Sequence, residues 1–265
     1  MLMDEHTPSL LVETQGRLRI LTLNRPDRMN ALDPDLHHRL QAAVLEAAAA
    51  PQIGALLLTG AGRGFCAGGD VRRKAPAAPE SIEARADTVR AHGATVKALS
   101  GMAKPTIALI NGAAAGSGLA LALACDIRVA LRSAVLRTAY AGVGLTGDLG
   151  ITYFLTRIVG PARAAELMLL NDKIDSARAL ELGLVSQVAD DTDREAAFAI
   201  ARTLANGPTT TFRYMKQNLE CAAHGTLEAV IEREAYNTAR IVRTHDVAEA
   251  TTAFREKRAP TFTGS

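Results

Sequence analysis

PTIALINGAAAGSGLALALACD, residues Pro105 to Asp126, decides how the rest of this chain is read. Thr106 to Ile110 is a short apolar, partly β-branched run behind a proline, the pattern of a buried strand. Asn111-Gly112 signals a turn, and Ala, Gly and Ser fill the tract up to Gly118. Leu119 to Cys125 is apolar throughout, which predicts a helix buried on every side. Strand, small-residue turn and buried helix is a geometry with a chemical use. The N–H groups of a helix's first turn have no partner within it, and they point at whatever occupies the turn. Side chains no larger than Ala or Ser let a ligand approach that backbone closely. Tight helix–sheet packing without any ligand explains the same residues, so a second stretch has to decide.

The totals bound the answer. A chain of 265 residues, 48% hydrophobic and 22% charged, has the composition of a soluble globular protein with a substantial core. A net charge of +2 gives no reason to expect nucleic acid. No apolar run is long enough to span a bilayer, and MLMDEHTPSL at the start is acidic and polar rather than signal-like. A cytoplasmic protein is the expectation. Cys66, Cys125 and Cys221 are widely spaced and odd in number, which implies neither a disulfide framework nor a zinc site.

Working outward, Leu10 to Thr14 and Leu18 to Leu23 predict a hairpin. Asp33 is a good N-cap with Pro34 at the first helical position, opening a helix that buries Leu36, Leu40 and Val44 through roughly Ala50. Gly54 to Thr59 predicts a buried strand, followed by a second small-residue turn, GRGFCAGGD (Gly62–Asp70). The segment from Val71 to about Glu80, with two prolines and three cations, predicts a mobile loop. Ser81 can cap a helix from Ile82 to Leu99. Short strands are expected at Ile127–Ala130 and Val135–Thr138, and helices at Ile151–Val159 and Ala162–Leu170. A short helix at Ser176–Glu181 and a last strand at Leu184–Val188 follow. Helical sequence then runs from Asp193 onward, broken at Pro208, Gly225 and His245-Asp246. Strands and helices alternate over 1–190 and helices alone fill 191–265, so parallel β–α units with a helical appendage are expected.

Two turns of this kind can bring two backbone N–H groups to one point, as a developing oxyanion requires. The motifs now match a family. GRGFCAGGD, KPTIALINGAAAGSGLALALACD (Lys104–Asp126), RILTLNRPDRMNAL (Arg19–Leu32) and AFREKRAPTF (Ala253–Phe262) together resemble the enoyl-CoA hydratase/isomerase superfamily, the crotonases. The resemblance implies an α/β fold, a spiral of ββα units over 1–190 with a helical trimerisation region over 191–265. It implies a homotrimer or a dimer of trimers. No permanently bound cofactor is implied; coenzyme A comes as part of an acyl thioester substrate. The thioester oxygen is then held by the N–H groups of Gly69 and Ser117. Coenzyme A contacts fall on Met29, Ala31, Leu32 and Ala67, with Arg72 and Lys257 as cations for its phosphates. Ordinary solvated charge is the alternative for Arg72 and Lys257.

Departures from the family pattern bear on the reaction. Hydratases of the superfamily carry two glutamates, and counting without gaps these positions hold Ala120 and Tyr140 here. Neither is a carboxylate. Asp148, in GLTGDLG (Gly144–Gly150), stands where several isomerases of the superfamily place their working aspartate, and the ring-epoxide isomerases of phenylacetate breakdown look closest. One carboxylate suffices to take a proton from carbon and return it at another, if it is partly withdrawn from water. Asp148 could instead simply cap the helix that follows. Tyr140 would face the acyl pocket, or be a packed core tyrosine. An aromatic paired with this aspartate is also similar to aryl-CoA dehalogenases, although nothing specifies a halide site. Glu80, Glu83 and Asp87, in the lid region, read as solvated, with a second carboxylate from one of them as the alternative; Cys66 reads as packed, and His92, His224 and His245 show no metal-ligand spacing. An isomerase, a hydratase and a coenzyme A-ester binder without chemistry remain as readings. The acyl group depends on how the lid over 71–99 folds.

Overall fold

The computed structural model describes residues 8–70, 72 and 81–265, so the loop expected over 71–80, with Glu80, lies outside the described residues apart from Arg72. The chain opens with β1 (Leu10–Gln15) and β2 (Leu18–Leu23), an antiparallel hairpin. A single turn of 3₁₀ helix at Pro26–Arg28 leads to α1 (Pro34–Ala49), whose cap is the one expected: the Asp33 carboxylate accepts from the Leu36 N–H at 2.9 Å.

Three strand–strand–helix units follow. The first is β3 (Ala55–Gly60), β4 (Gly64–Cys66) and α2 (Ile82–Ser100), the last capped by Ser81. The second is β5 (Thr106–Ile110), β6 (Ala113–Ala115) and α3 (Ser117–Leu123). The third is β7 (Ile127–Leu131), β8 (Val135–Arg137) and α4 (Ile151–Leu170). Within α4 the backbone leaves helical geometry at Gly160 (φ 76°, ψ 163°), ahead of Pro161, so the two helices the sequence predicts meet there across a kink. Then come β9 (Ile174–Asp175), α5 (Ser176–Glu181), β10 (Gln187–Ala189), α6 (Glu195–Ala205), α7 (Thr209–Ala222), α8 (Leu227–Ile241) and α9 (His245–Glu256).

In each unit the first strand joins a six-stranded sheet of order β1-β2-β3-β5-β7-β10 and the second joins a four-stranded sheet of order β4-β6-β8-β9. That alternation is the spiral. All pairings are parallel except β1 with β2 and β8 with β9. The large sheet is buried on both faces, so its central strands are continuously apolar rather than alternating. Leu21, Leu56, Leu58 and Ile110 pack on one side with α1, α3 and α4. Leu18, Leu57, Ile107 and Val129 pack on the other with Ala197, Ala201 and Ala205 of α6.

Three expectations are corrected. The buried helix of the opening stretch spans Ser117–Leu123 rather than Leu119–Cys125, because Gly116 supplies the turn and the alanines before it pair as β6. The last strand is Gln187–Ala189 rather than Leu184–Val188: the Leu184 and Val185 N–H groups turn back to the Ala179 carbonyl and close α5. His245-Asp246 opens α9 instead of breaking a helix, since Thr244 in extended backbone is its N-cap. Among the described residues no helix is long and apolar enough to cross a membrane.

Candidate active site

The two small-residue turns interlock. Pairing of β4 with β6 sets Gly64 against Ala113 and Cys66 against Ala114. A Cβ on Gly68, whose φ is +91°, would lie 2.8 Å from the Ala115 carbonyl oxygen and 3.5 Å from the Ser117 nitrogen. A Cβ on Gly118 would lie 2.2 Å from the Cys66 carbonyl oxygen. Only glycine permits that approach, and the approach brings the Gly69 and Ser117 peptides to neighbouring positions.

Gly69 is held by a parallel bridge to Leu32. The Leu32 N–H donates to the Gly68 carbonyl at 2.8 Å and the Asp70 N–H to the Leu32 carbonyl at 3.0 Å. Backbone groups alternate in direction along a strand, so the N–H of Gly69 itself points away from Leu32. Gly69 is exposed, with nothing near its Cβ direction among the described residues. Ser117 is the first residue of α3, where an N–H has no partner within the helix. Among the described residues neither amide is bonded within the protein.

Asp148 lies beside the second amide. Its Oδ1 accepts from the Ser117 hydroxyl at 2.8 Å and from the Tyr140 hydroxyl at 2.7 Å. The cap of α4 is Gly150 in left-handed backbone, without a side-chain hydrogen bond, so the Asp148 carboxylate is not occupied in capping. The loop reaches this shape through positive φ at Gly144, Gly147, Leu149 and Gly150. Buried Leu149, at φ 48°, pins it; that conformation costs a non-glycine residue about 1–2 kcal/mol. Tyr140 is placed similarly. Ala139 (φ 66°) turns the chain ahead of it, and its N–H donates to Asn171 Oδ1 at 2.7 Å. Burial, and then the Asp148 charge, push the Tyr140 phenol well above its ordinary range, which keeps it a proton donor to the carboxylate.

Met29, Ala31, Leu32 and Ala67 come together along one edge: the Ala67 N–H donates to the Met29 carbonyl at 3.0 Å, beside the Leu32–Gly69 bridge. Arg25, not singled out in the sequence, clamps this edge. One of its nitrogens lies 3.1 Å from both Asp33 and Asp70, the residue after Gly69. Arg72 is exposed, its N–H donating to Asp70 Oδ1. Lys257 is exposed at the C-cap of α9 and, among the described residues, no hydrogen bond or ion pair joins it to the site. Ala120 is fully buried in α3. Burial pushes the Cys66 thiol up to about 12, which leaves it protonated. Glu83 and Asp87 are exposed on α2, and Asp87 pairs with Arg90.

Sequence reasoning also missed His37. Its ring, on α1, stacks on that of His92 on α2, and the Asp148 charge acts on both. Nothing in the local sequence of either histidine signals a partner so far along the chain.

Comparison with known proteins gives the family. A family model described as enoyl-CoA hydratase/isomerase matches residues 13–265. The 1,2-epoxyphenylacetyl-CoA isomerase of Escherichia coli (strain K12) is 38% identical over 258 residues, covering 96% of this chain and 98% of that protein. A protein named "Probable enoyl-CoA hydratase" from Rhodobacter capsulatus is 35% identical over 263 residues, covering 99% and 100%. The crystal structure of an enoyl-CoA hydratase from Bacillus anthracis superposes with a TM-score of 0.90 at 30% identity, covering 97% of this chain and 100% of that one. With motifs, spiral fold and full-length relatives in accord, the chain belongs to the enoyl-CoA hydratase/isomerase family, the crotonases.

Proposed function

We propose that this chain isomerises an acyl-coenzyme A thioester, relocating a double bond or rearranging a ring epoxide, with Asp148 as the single acid/base. The thioester oxygen lies between the Gly69 and Ser117 N–H groups, which hold the negative charge of the enolate. For a double-bond shift, Asp148 takes a proton from one carbon and returns it at another, so no atom is gained or lost. The Tyr140 and Ser117 hydroxyls keep the carboxylate aimed. Met29, Ala31, Leu32 and Ala67 follow the coenzyme A, and Arg72 and Lys257 serve its phosphates. No permanently bound cofactor enters this scheme.

One observation carries the reading. Ser117 offers its amide to the oxyanion site and its hydroxyl to Asp148, at 2.8 Å, so one residue sets the spacing between the oxyanion and the base. Hydration, the activity in the name of the Rhodobacter capsulatus relative, would require water activated on one side and a proton delivered on the other. The two positions matching the family's glutamates hold a buried methyl, Ala120, and a phenol, Tyr140.

Wild type and Asp148→Asn are to be incubated with 3-enoyl-CoA and ring-epoxide CoA esters and followed by mass and absorbance. Isomer interconversion by wild type, reduced about 10²–10⁴-fold in the variant, is the expected result. A wild type that interconverts neither ester, or a variant as fast as wild type, overturns the isomerase; fast hydration of crotonyl-CoA would make the protein a hydratase.

Residues 191–265 are read as the assembly region. Leu219, Leu227, Tyr236 and Phe254 on α7, α8 and α9 are exposed, Phe254 by 86%, and large apolar side chains left open on successive helices suit a contact between subunits. A trimer or a dimer of trimers is expected on sizing in solution, and a monomer would refute this.

A further inference from the structure

His37 and His92 come from different helices, α1 and α2, yet their rings lie face to face, with centroids 4.0 Å apart and planes 6° from parallel. Both are half-buried. Neither ring makes a hydrogen bond within the protein among the described residues, and neither has a nitrogen sealed from solvent. Their nitrogens are therefore open to whatever fills the adjoining space.

Three groups of charge act on the pair. From the cap ahead of α1, Asp33 acts on His37; on α2, Arg85 acts on His92; from the loop before α4, Asp148 acts on both. Such influence falls off with distance, so the stack lies within reach of the Asp148 charge. Burial is the largest force on each imidazole and outweighs Asp148, holding His37 down to about 4 and His92 below its ordinary value. At neutral pH both rings are thus uncharged, and each carries one N–H donor and one nitrogen acceptor. Two uncommitted donor–acceptor groups, partly withdrawn from water and within reach of the charge of a base, suit a polar atom of a ligand and suit hydrocarbon poorly.

The geometry points to the His37–His92 stack as the specificity-determining wall of the acyl pocket, hydrogen-bonding an oxygen carried by the acyl group close to the carbons that Asp148 serves. This deepens the reading of Asp148 as the acid/base and rests on it. The favoured substrates are then acyl groups bearing an oxygen on a ring or chain, and plain hydrocarbon acyl groups are discriminated against because they leave the imidazoles unpaired.

Calorimetric binding of phenylacetyl-CoA and 2-hydroxyphenylacetyl-CoA at pH 7.5 tests this without turnover. Wild type is expected to bind the hydroxylated ester about tenfold tighter or more. His37→Phe and His92→Phe keep a flat ring but no nitrogen, and the double variant is expected to lose the preference to within about twofold, while His92→Gln, which retains a donor and an acceptor, keeps part of it. Equal affinities in wild type overturn the inference without any variant being needed. A preference that survives both phenylalanines overturns it too, as does failure of wild type to bind either ester. The two readings separate cleanly: loss of turnover in Asp148→Asn with equal binding of the two esters leaves the isomerase standing and removes the stack. A binding preference without isomerisation does the reverse, keeping the oxygen-selecting wall and removing the reaction.

Discussion

Deleting the Ser117 hydroxyl while sparing its amide separates the two parts this residue has in the proposed mechanism. Ser117→Ala removes the 2.8 Å hydrogen bond to Asp148 Oδ1. The side chain is buried, 5% exposed, in a helix where alanine is the better helix former, so the fold is expected to hold. A hydrogen bond to an ionised acceptor contributes about 1.5–3 kcal/mol. If the bond aims the base in proton transfer, kcat falls about 10- to 150-fold. KM moves little, because the amide still meets the thioester. Tyr140→Phe removes the 2.7 Å bond to the same oxygen and is expected to cost a similar amount. Because both donors end on Oδ1, the losses are coupled, and the double variant departs from additivity by about 0.5 kcal/mol or more. Absorbance assays of 3-enoyl-CoA isomerisation, with equilibrium binding of an unreactive acyl-CoA alongside, measure both quantities. A Ser117→Ala enzyme with wild-type kcat would refute the reasoning. So would one that keeps kcat and loses binding, since the hydroxyl would then be serving the thioester rather than the base.

Gly118→Ala places a Cβ 2.2 Å from the Cys66 carbonyl oxygen and 2.7 Å from the Cys66 Cβ, so the two turns must part; a loss of about 1–3 kcal/mol in urea unfolding is expected, and an unchanged midpoint would mean that they do not interlock as described. His37 gives the pH dependence a sign. Its pKa is about 4 in the folded protein against 6.5 for the free side chain, so between those values the unfolded chain binds the extra proton. Stability therefore falls as pH drops from about 6.5 toward 4, and His37→Phe is expected to flatten that slope; an identical slope in the variant would show that His37 is not its source.

Local chemistry was legible in the sequence wherever neighbours in the chain set the structure. Asp33 and Ser81 cap their helices because a short oxygen-bearing side chain ahead of an apolar period has its partner N–H three residues on. The central strands read as buried because they are apolar on both faces. The two small-residue turns stood out because no side chain fits at Gly68 or Gly118, where the two backbones approach.

Tertiary structure alone decided the rest. The four-stranded sheet is built of strands two or three residues long, too short to show a period, and their pairing depends on the spiral returning the chain to the same edge. Whether Asp148 caps α4 turned on Gly150 taking the cap position, which leaves the carboxylate to donors on two other segments. Arg25 reaching Asp70 and His37 meeting His92 are contacts between residues far apart in the chain. A side chain's identity sets what it can bond to, but its partner across the fold is chosen by how the sheets and helices close around it, and no window of sequence contains both ends of that contact.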